Sequence, residues 1–250
     1  MLFSKRIILC CFLFIFSNFV FGKSTLTIIT EDWAPLNYLE NDSIKGPAVD
    51  VVRAIQNRIN DMNKLIVLPW KRGYTYTLEK ENQVLFSVAR TAERESLFKW
   101  VGPIATNTFF LYAKKDSPIK LNTLDDAKHY SIGVQRGGIT GDILRVRGFS
   151  NLQEVTSSRQ NAGKLLRNRI DFMVESNATF LQTMKNFKMN KNDFKDMFVI
   201  EKLFMYIAFS KSTSDEVILK WQNAYDTLYE TGLIEEIFKE HDTLEIYWEK

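Results

Sequence analysis

Arg72, Arg90 and Arg94 carry planar guanidinium groups, which can meet a carboxylate with two parallel hydrogen bonds, and each follows a short run of strand-forming residues. Arg72 comes with Trp70 after LIVL (65–68), and Arg90 and Arg94 come after VLFSV (84–88). The loop behind LTIIT (26–30) offers Glu31, Asp32 and Trp33, and the end of IDFMV (170–174) leads to Glu175 and Ser176. Behind YSIGV (130–134) stands QRGGIT (135–140), a glycine turn into a helix. The first N–H groups of such a helix have no carbonyl partner and favour an anion. These residue types describe capture of a small charged molecule. Guanidinium groups and helix N-termini hold acidic groups, carboxylates hold an ammonium, and indole faces stack. Plain readings compete with each: an ion pair of Arg94 with Glu93 or Glu95, a core Trp33, solvated Arg72 and Arg90, an ordinary glycine turn. The sequence holds no G-x-S-x-G, no nucleophile paired with a base and no metal-ligand set, so neither catalysis nor a cofactor is expected.

The elements that position these residues alternate along the chain. Residues 48–59 place Val51 or Val52, Ile55 and Ile59 at helical spacing, and further strand-like runs lie at FFLYA (109–113) and MFVI (197–200). Strands alternating with helices predict a mostly parallel α/β sheet. In open α/β sheets ligands collect beyond the carboxyl ends of the strands, where the residues above are found. Thr123 with Asp126, and Thr213 with Glu216, have capping-box spacing. The second box opens a helix with Val217, Trp221, Ala224 and Leu228 on one face, and Gly232 stands where that helix should stop. Lys185, Lys188, Lys191 and Lys195 read as a solvated surface.

Lys5 and Arg6 precede an apolar run over residues 7–16, and Val20 and Gly22 are small enough for a peptidase site. This is the pattern of a cleaved secretory leader over residues 1–22, and the apolar run is short of the roughly 20 residues a membrane span needs. Both cysteines, Cys10 and Cys11, lie in that leader, so disulfides, thiol chemistry and thiolate-bound metals are excluded from the rest. Only His129 and His241 remain, too few for a zinc site. Without Lys5 and Arg6 the 33 basic residues fall to 31 against 30 acidic ones, which is no excess for nucleic acid.

Several stretches, taken in order, resemble the family 3 (polar amino acid type) periplasmic solute-binding proteins of ABC importers. They are EDWAPLNY, GPAVDVVRAIQNRI, SVARTAERESLFKWVGP, LYAKKDSPI, LDDAKHYSIGVQRG, NRIDFMVES and YIAFSKSTSDEV with LYETGLIEEIF, and they span about residues 25–242. TAER before FKWVGP is similar to the family's T-x-x-R motif. The resemblance implies a two-lobed, type II-like binding-protein fold, each lobe a mixed sheet flanked by helices, with two crossings between lobes. It places residues 23–112 and 205–250 in the first lobe and 113–204 in the second, with hinge strands near 112–114 and 205–208.

The resemblance also implies roles. Arg94 matches the arginine that grips the ligand's carboxylate, and Trp33 the aromatic that covers the ligand. Ser87 and Ala89 stand where the family lends hydroxyl and main-chain groups, and Gly138, Ile139 and Thr140 match the turn whose N–H groups meet the carboxylate. The family's aspartate for an α-amino group is replaced by Ser176, with Glu175 one residue earlier and Glu31 available from the other lobe. Arg72 and Arg90 would add positive charge and favour a more acidic ligand. The implied function is capture of a small, carboxylate-bearing solute, an amino acid or a relative of one, by a monomer in the periplasm for an ABC permease. The alternative is a sensing module for a membrane signalling partner, and a lyase or dehydratase on the same fold ranks third. Intact-mass measurement of the exported protein should give a chain starting near Lys23; a mature protein that keeps Met1 would overturn the leader.

Overall fold

A computed structural model describes residues 25–247, so the expected leader lies outside the described residues. β1 (Thr27–Thr30) pairs in parallel with β4 (Leu65–Val67) on one side and β5 (Gln83–Ala89) on the other. Ile28 packs with Val51, Val52 and Ile55 of α1 (Pro47–Ile59), while its neighbour Ile29 packs with Leu85 and, on α2 (Trp70–Glu79), Tyr74. Both faces of the sheet are covered, which is why these strands read as unbroken apolar runs. Proline fits the first turn of α1, where its missing N–H costs nothing. Gly46 before it has φ 118, and a Cβ there would lie 2.3 Å from the Leu36 carbonyl oxygen. Only glycine permits that approach, which seats the loop carrying Glu31 and Trp33. The loop also contains a hairpin, β2 (Tyr38–Glu40) and β3 (Ser43–Lys45). Its turn residues Asn41 and Asp42 both have positive φ, as a two-residue hairpin turn requires.

A single turn, α3 (Ala92–Glu95), leads into β6 (Phe98–Lys114), which runs antiparallel to β10 (Phe194–Ser210) from Phe98↔Ser210 to Lys114↔Phe194. At one end β10 joins β5, from Met205↔Ala89 to Phe209↔Val84. At the other end β6 joins β9 (Phe172–Ser176), from Phe109↔Ser176 to Ala113↔Phe172. β9 continues through β7 (Ile132–Gln135) to β8 (Leu152–Val155), so one sheet runs β4-β1-β5-β10-β6-β9-β7-β8. α4 (Ile139–Val146), α5 (Ser158–Leu166) and α6 (Asn177–Asn186) belong to the β7–β9 half. α7 (Asp215–Glu230) and α8 (Leu233–Glu240) return to pack on α1.

Three sequence expectations are corrected. The sheet is mixed, as the resemblance implies, rather than mostly parallel as the alternation alone predicts, because β6 and β10 run antiparallel to each other and to β9 and β5. The alternation of strands and helices reveals the elements but not the direction of strands joined by long excursions. The stretch that is only two strands wide falls at 106–108 against 202–204, since Tyr112 and Ala113 already pair with Met173 and Phe172, and Met205 already pairs with Ala89. The apolar cores of β6 and β10 were visible in the sequence, but their polar continuations through Thr106, Asn107, Thr108 and Lys202 hid how far each strand extends.

The third correction concerns α7. Thr123 and Asp126 do form a capping box, although it opens a 3-10 turn (Leu124–His129). Helix α7, by contrast, is capped by Ser214, whose hydroxyl accepts from the Val217 N–H, and not by Thr213. Thr213 has no exposure, and its hydroxyl has no hydrogen-bond partner among the described residues. Ser214→Ala should therefore cost about 1 kcal/mol and lower the melting temperature by about 2–4 °C. Thr213→Val, which removes a buried unpaired hydroxyl, should be neutral or stabilising. Thermal denaturation of the two variants checks this, and the opposite ranking would restore Thr213 as the cap.

Candidate functional site

The carboxyl ends of β1 and β5 face those of β7 and β9 across a narrow cavity. From the first half Glu31, Trp33, Trp70, Ser87, Ala89 and Arg94 line it, and from the second Gly138, Ile139, Thr140 and Glu175. Phe109, Gln135, Val174 and Met205 complete the wall. Gln135 stood at the head of the glycine turn, but its amide was not singled out. The other three lie in strands read as core or hinge, and nothing in their types distinguishes a cavity wall from an interior.

Glu31 and Trp33 are held by a closed loop. Trp33 and Asn37 exchange backbone hydrogen bonds of 2.6 and 3.1 Å, and the Asn37 amide donates to the Glu31 carbonyl at 2.8 Å. Ser87 donates its hydroxyl to the Asn37 side chain at 2.5 Å. Ser87 also has φ 64 and is skipped in the pairing of β5 with β10, where Tyr206 meets Val88 and Ile207 meets Phe86. It is the extra residue of a β-bulge, a device that bends a strand and re-aims its end. Ala89 follows, and its carbonyl accepts from Arg94 Nη1 at 3.4 Å.

The Arg94 side chain is only 7% exposed, and its nearest carboxylate, Asp142 on α4, is 3.9 Å away. Its guanidinium lies over the rings of Trp70 and Tyr74, with centroids at 5.6 and 5.1 Å. Burial holds its pKa below the usual arginine value, against the charges of Tyr74, Asp142 and Glu93. The surface ion pair expected as its competitor belongs to Arg90 instead, which holds Glu95 with two bonds of 2.7 and 2.6 Å and lies over Trp100 and Tyr206. Opposite Arg94, the first N–H groups of α4, around Ile139 and Thr140, lack a carbonyl one turn earlier.

Three candidates lie outside the cavity. Arg90 is held by Glu95 as described. Arg72 is exposed and sits two residues after Trp70 on α2, and residues so spaced do not share a helix face. Ser176 is fully buried as the N-cap of α6, accepting from the Thr179 N–H at 3.2 Å. The extra positive charge expected from Arg72 and Arg90 is therefore not delivered to the cavity. Its ionisable lining is Arg94 against Glu31 and Glu175, and the latter also accepts from the Ser176 N–H at 2.9 Å.

Two hydrogen bonds cross between the halves beside the cavity. The Trp70 indole N–H donates to the Gly137 carbonyl at 2.9 Å, and the Thr179 hydroxyl donates to the Ala34 carbonyl at 3.0 Å. Glu31 is a third crossing point, hydrogen-bonded by the Gln135 side chain. Its carboxyl faces the cavity rather than open water, and its pKa is pushed up to about 8. Desolvation is the main cause, the Gln135 bond opposes it, and Asp32 and Glu175 add repulsion. At neutral pH this carboxyl keeps its proton.

The sequence model of the bacterial extracellular solute-binding proteins, family 3, matches residues 26–242. No curated protein sequence matches the chain. Among solved structures, a histidine kinase sensor domain with similarity to periplasmic binding proteins superposes with TM-score 0.80 at 16% identity, over 90% of this chain and 98% of that one. The arginine-, lysine-, histidine-binding protein ArtJ from Geobacillus stearothermophilus gives 0.73 at 21% identity, over 86% and 94%. The GluR0 ligand-binding core from Nostoc punctiforme, in complex with L-glutamate, gives 0.74 at 17% identity, over 87% and 99%. At these identities the likeness is one of fold, and the fold is the two-lobed one.

The state of Glu31 has a measurable consequence. Its folded pKa of about 8 lies above the ordinary 4.5, so the folded protein holds a proton that the unfolded chain releases. That stabilisation is complete below about pH 4.5 and is lost as pH rises through about 8. Denaturant midpoints across this window should fall with pH in the wild type and fall less in Glu31→Gln. Identical slopes would show that Glu31 ionises normally.

Proposed function

The chain belongs to the bacterial extracellular solute-binding proteins, family 3, and on that premise we propose that its cavity captures an amino-acid-like zwitterion outside the cytoplasmic membrane and delivers it to an ABC permease. The observation that carries the reading is Arg94: a nearly buried guanidinium on the cavity wall whose closest carboxylate is 3.9 Å away. Such a group is costly to bury unless an anion meets it. A ligand carboxylate would take its planar fork with two hydrogen bonds and present its other side to the N-terminus of α4, where a negative charge is also favoured.

An ammonium on the same ligand would face Glu31 and Glu175. A cation beside Glu31 favours its ionised form, so that carboxyl would release its proton as the ligand settles. Trp33, Trp70 and Phe109 supply the apolar cover. Hinge motion at the two-stranded stretch of β6 and β10 would close the halves, and the Trp70–Gly137 and Thr179–Ala34 bonds would hold them closed. The family is one of solute-binding proteins, and a neighbour such as ArtJ is a binding protein, which supports binding over catalysis. The likeness to a histidine kinase sensor domain supports a second reading, presentation of the bound solute to a membrane signalling partner. Genes beside this one for a permease and ATPase, or for a receptor, separate the two.

The test begins with mass spectrometry of whatever co-purifies with the protein, followed by calorimetry with that compound. Truncating one member of a buried charge pair costs about 3–5 kcal/mol, which is roughly a hundredfold to several thousandfold in Kd. Arg94→Ala should lose binding on that scale while keeping the fold. Arg94→Lys should recover only part of it, because a point charge cannot form the fork. Near-normal affinity in a folded Arg94→Ala protein would remove Arg94 as the anchor.

A further inference from the structure

The cavity does not end at its far wall. Trp33, Gln135 and Glu175 line it and also line an open groove, which runs between the β2–β3 hairpin and helices α5 and α6. A solute that spans both spaces would pass between these three partition residues. We propose that the two spaces form one site and that the solute is dipeptide-sized: its C-terminal carboxylate on Arg94, its free ammonium at the partition, and an apolar N-terminal side chain in the groove. This rests on the solute-capture reading and specifies the solute.

Two features of the groove carry the proposal. The first is where its carboxylates stand. Asp32 and Glu175 line the groove beside the partition, and both are close enough to Glu31 to act on its charge. In an amino acid one carbon separates carboxylate from ammonium, whereas a second residue moves the ammonium about 3.5 Å farther out, away from Arg94 and towards this acidic cluster. The second feature is exposed apolar surface. Leu39 and Phe187 are 47% and 44% exposed, and they line the groove from opposite halves of the protein. Paired apolar surfaces inside a groove mark a binding site rather than scattered surface residues. The Arg159 guanidinium lies over the Phe187 ring at 4.4 Å. It would repel a basic side chain there, while the exposed faces of Leu39 and Phe187 favour an aliphatic or aromatic one.

Calorimetry with four probes tests this: L-alanine, L-alanyl-L-alanine, L-phenylalanyl-L-alanine and N-acetyl-L-phenylalanyl-L-alanine. The wild type should bind phenylalanyl-alanine about tenfold more tightly than alanyl-alanine, from the added apolar burial, and alanyl-alanine more tightly than alanine. Acetylation, which removes the ammonium, should cost at least about tenfold. Phe187→Ala should erase the advantage of phenylalanyl-alanine and leave alanine and alanyl-alanine unchanged. If alanine binds as well as either dipeptide and is lost in Arg94→Ala, the outer half is wrong and the capture reading stands. If dipeptides bind equally well to Arg94→Ala, the capture reading fails at its anchor and this proposal with it. Failure of all four probes to bind the wild type also overturns it.

Discussion

The ladder of hydrogen bonds between β6 and β10 is the constraint on which the rest of the molecule hangs. Each half of the sheet uses one of these strands as its last member: β5 is paired to β10, and β9 to β6. Neither half could shift register on this ladder without moving every side chain at its end, because a slip of one residue turns a strand over. The ladder absorbs curvature at irregular pairings near Asp196, Val199 and Met205 instead. The cavity lies beside its narrowest stretch, so Phe109 and Met205, at the two borders of that stretch, are also cavity walls. A bend there changes the distance between Arg94 and the start of α4 while leaving each half intact.

Electrostatically the site is a set of groups held in unfavourable states by their surroundings. The Arg94 guanidinium is taken out of water with no carboxylate in hydrogen-bond contact, and the rings of Trp70 and Tyr74 offset part of the cost. Arginine suits such a place better than lysine because its charge is spread and weakly hydrated. Glu31 escapes the same cost by keeping its proton. The zwitterion proposed above would bring an anion to Arg94 and a cation to Glu31.

Much of this was legible in the sequence, for reasons that differ from residue to residue. Arg94, Trp33 and Glu31 announced themselves because they follow apolar runs that are strands, and strand ends point at the cleft. Arg72 and Arg90 shared that signal, yet one lies on the wrong face of α2 and the other is held by Glu95. A partner's reach is a matter of rotamers and helix phase, which spacing alone does not give. Ser176 was placed correctly along the chain but spends its hydroxyl on capping α6. Phe109, Val174 and Met205 had no signal at all, since an apolar residue facing a cavity is the same residue that would face a core. The full lengths of β6 and β10 were hidden for a related reason: their polar stretches, where the sheet is only two strands wide, resemble loops.

The return of α7 and α8 onto α1 sets an order of assembly. β7, β8, β9 and α4–α6 draw on one continuous segment, from Ile132 to Asn186, and lean on β6, which precedes them. The other half needs β10 beside β5 and α7 against α1, and His241 bonds Asp50 across 2.8 Å near the end of the chain. A chain emerging in order can therefore complete its interior half while the outer one still lacks a strand and two helices. Until the last forty or so residues arrive, β5 and α1 offer an open edge and an uncovered apolar face, which are what holding chaperones recognise. A half that cannot close early is a built-in delay in folding.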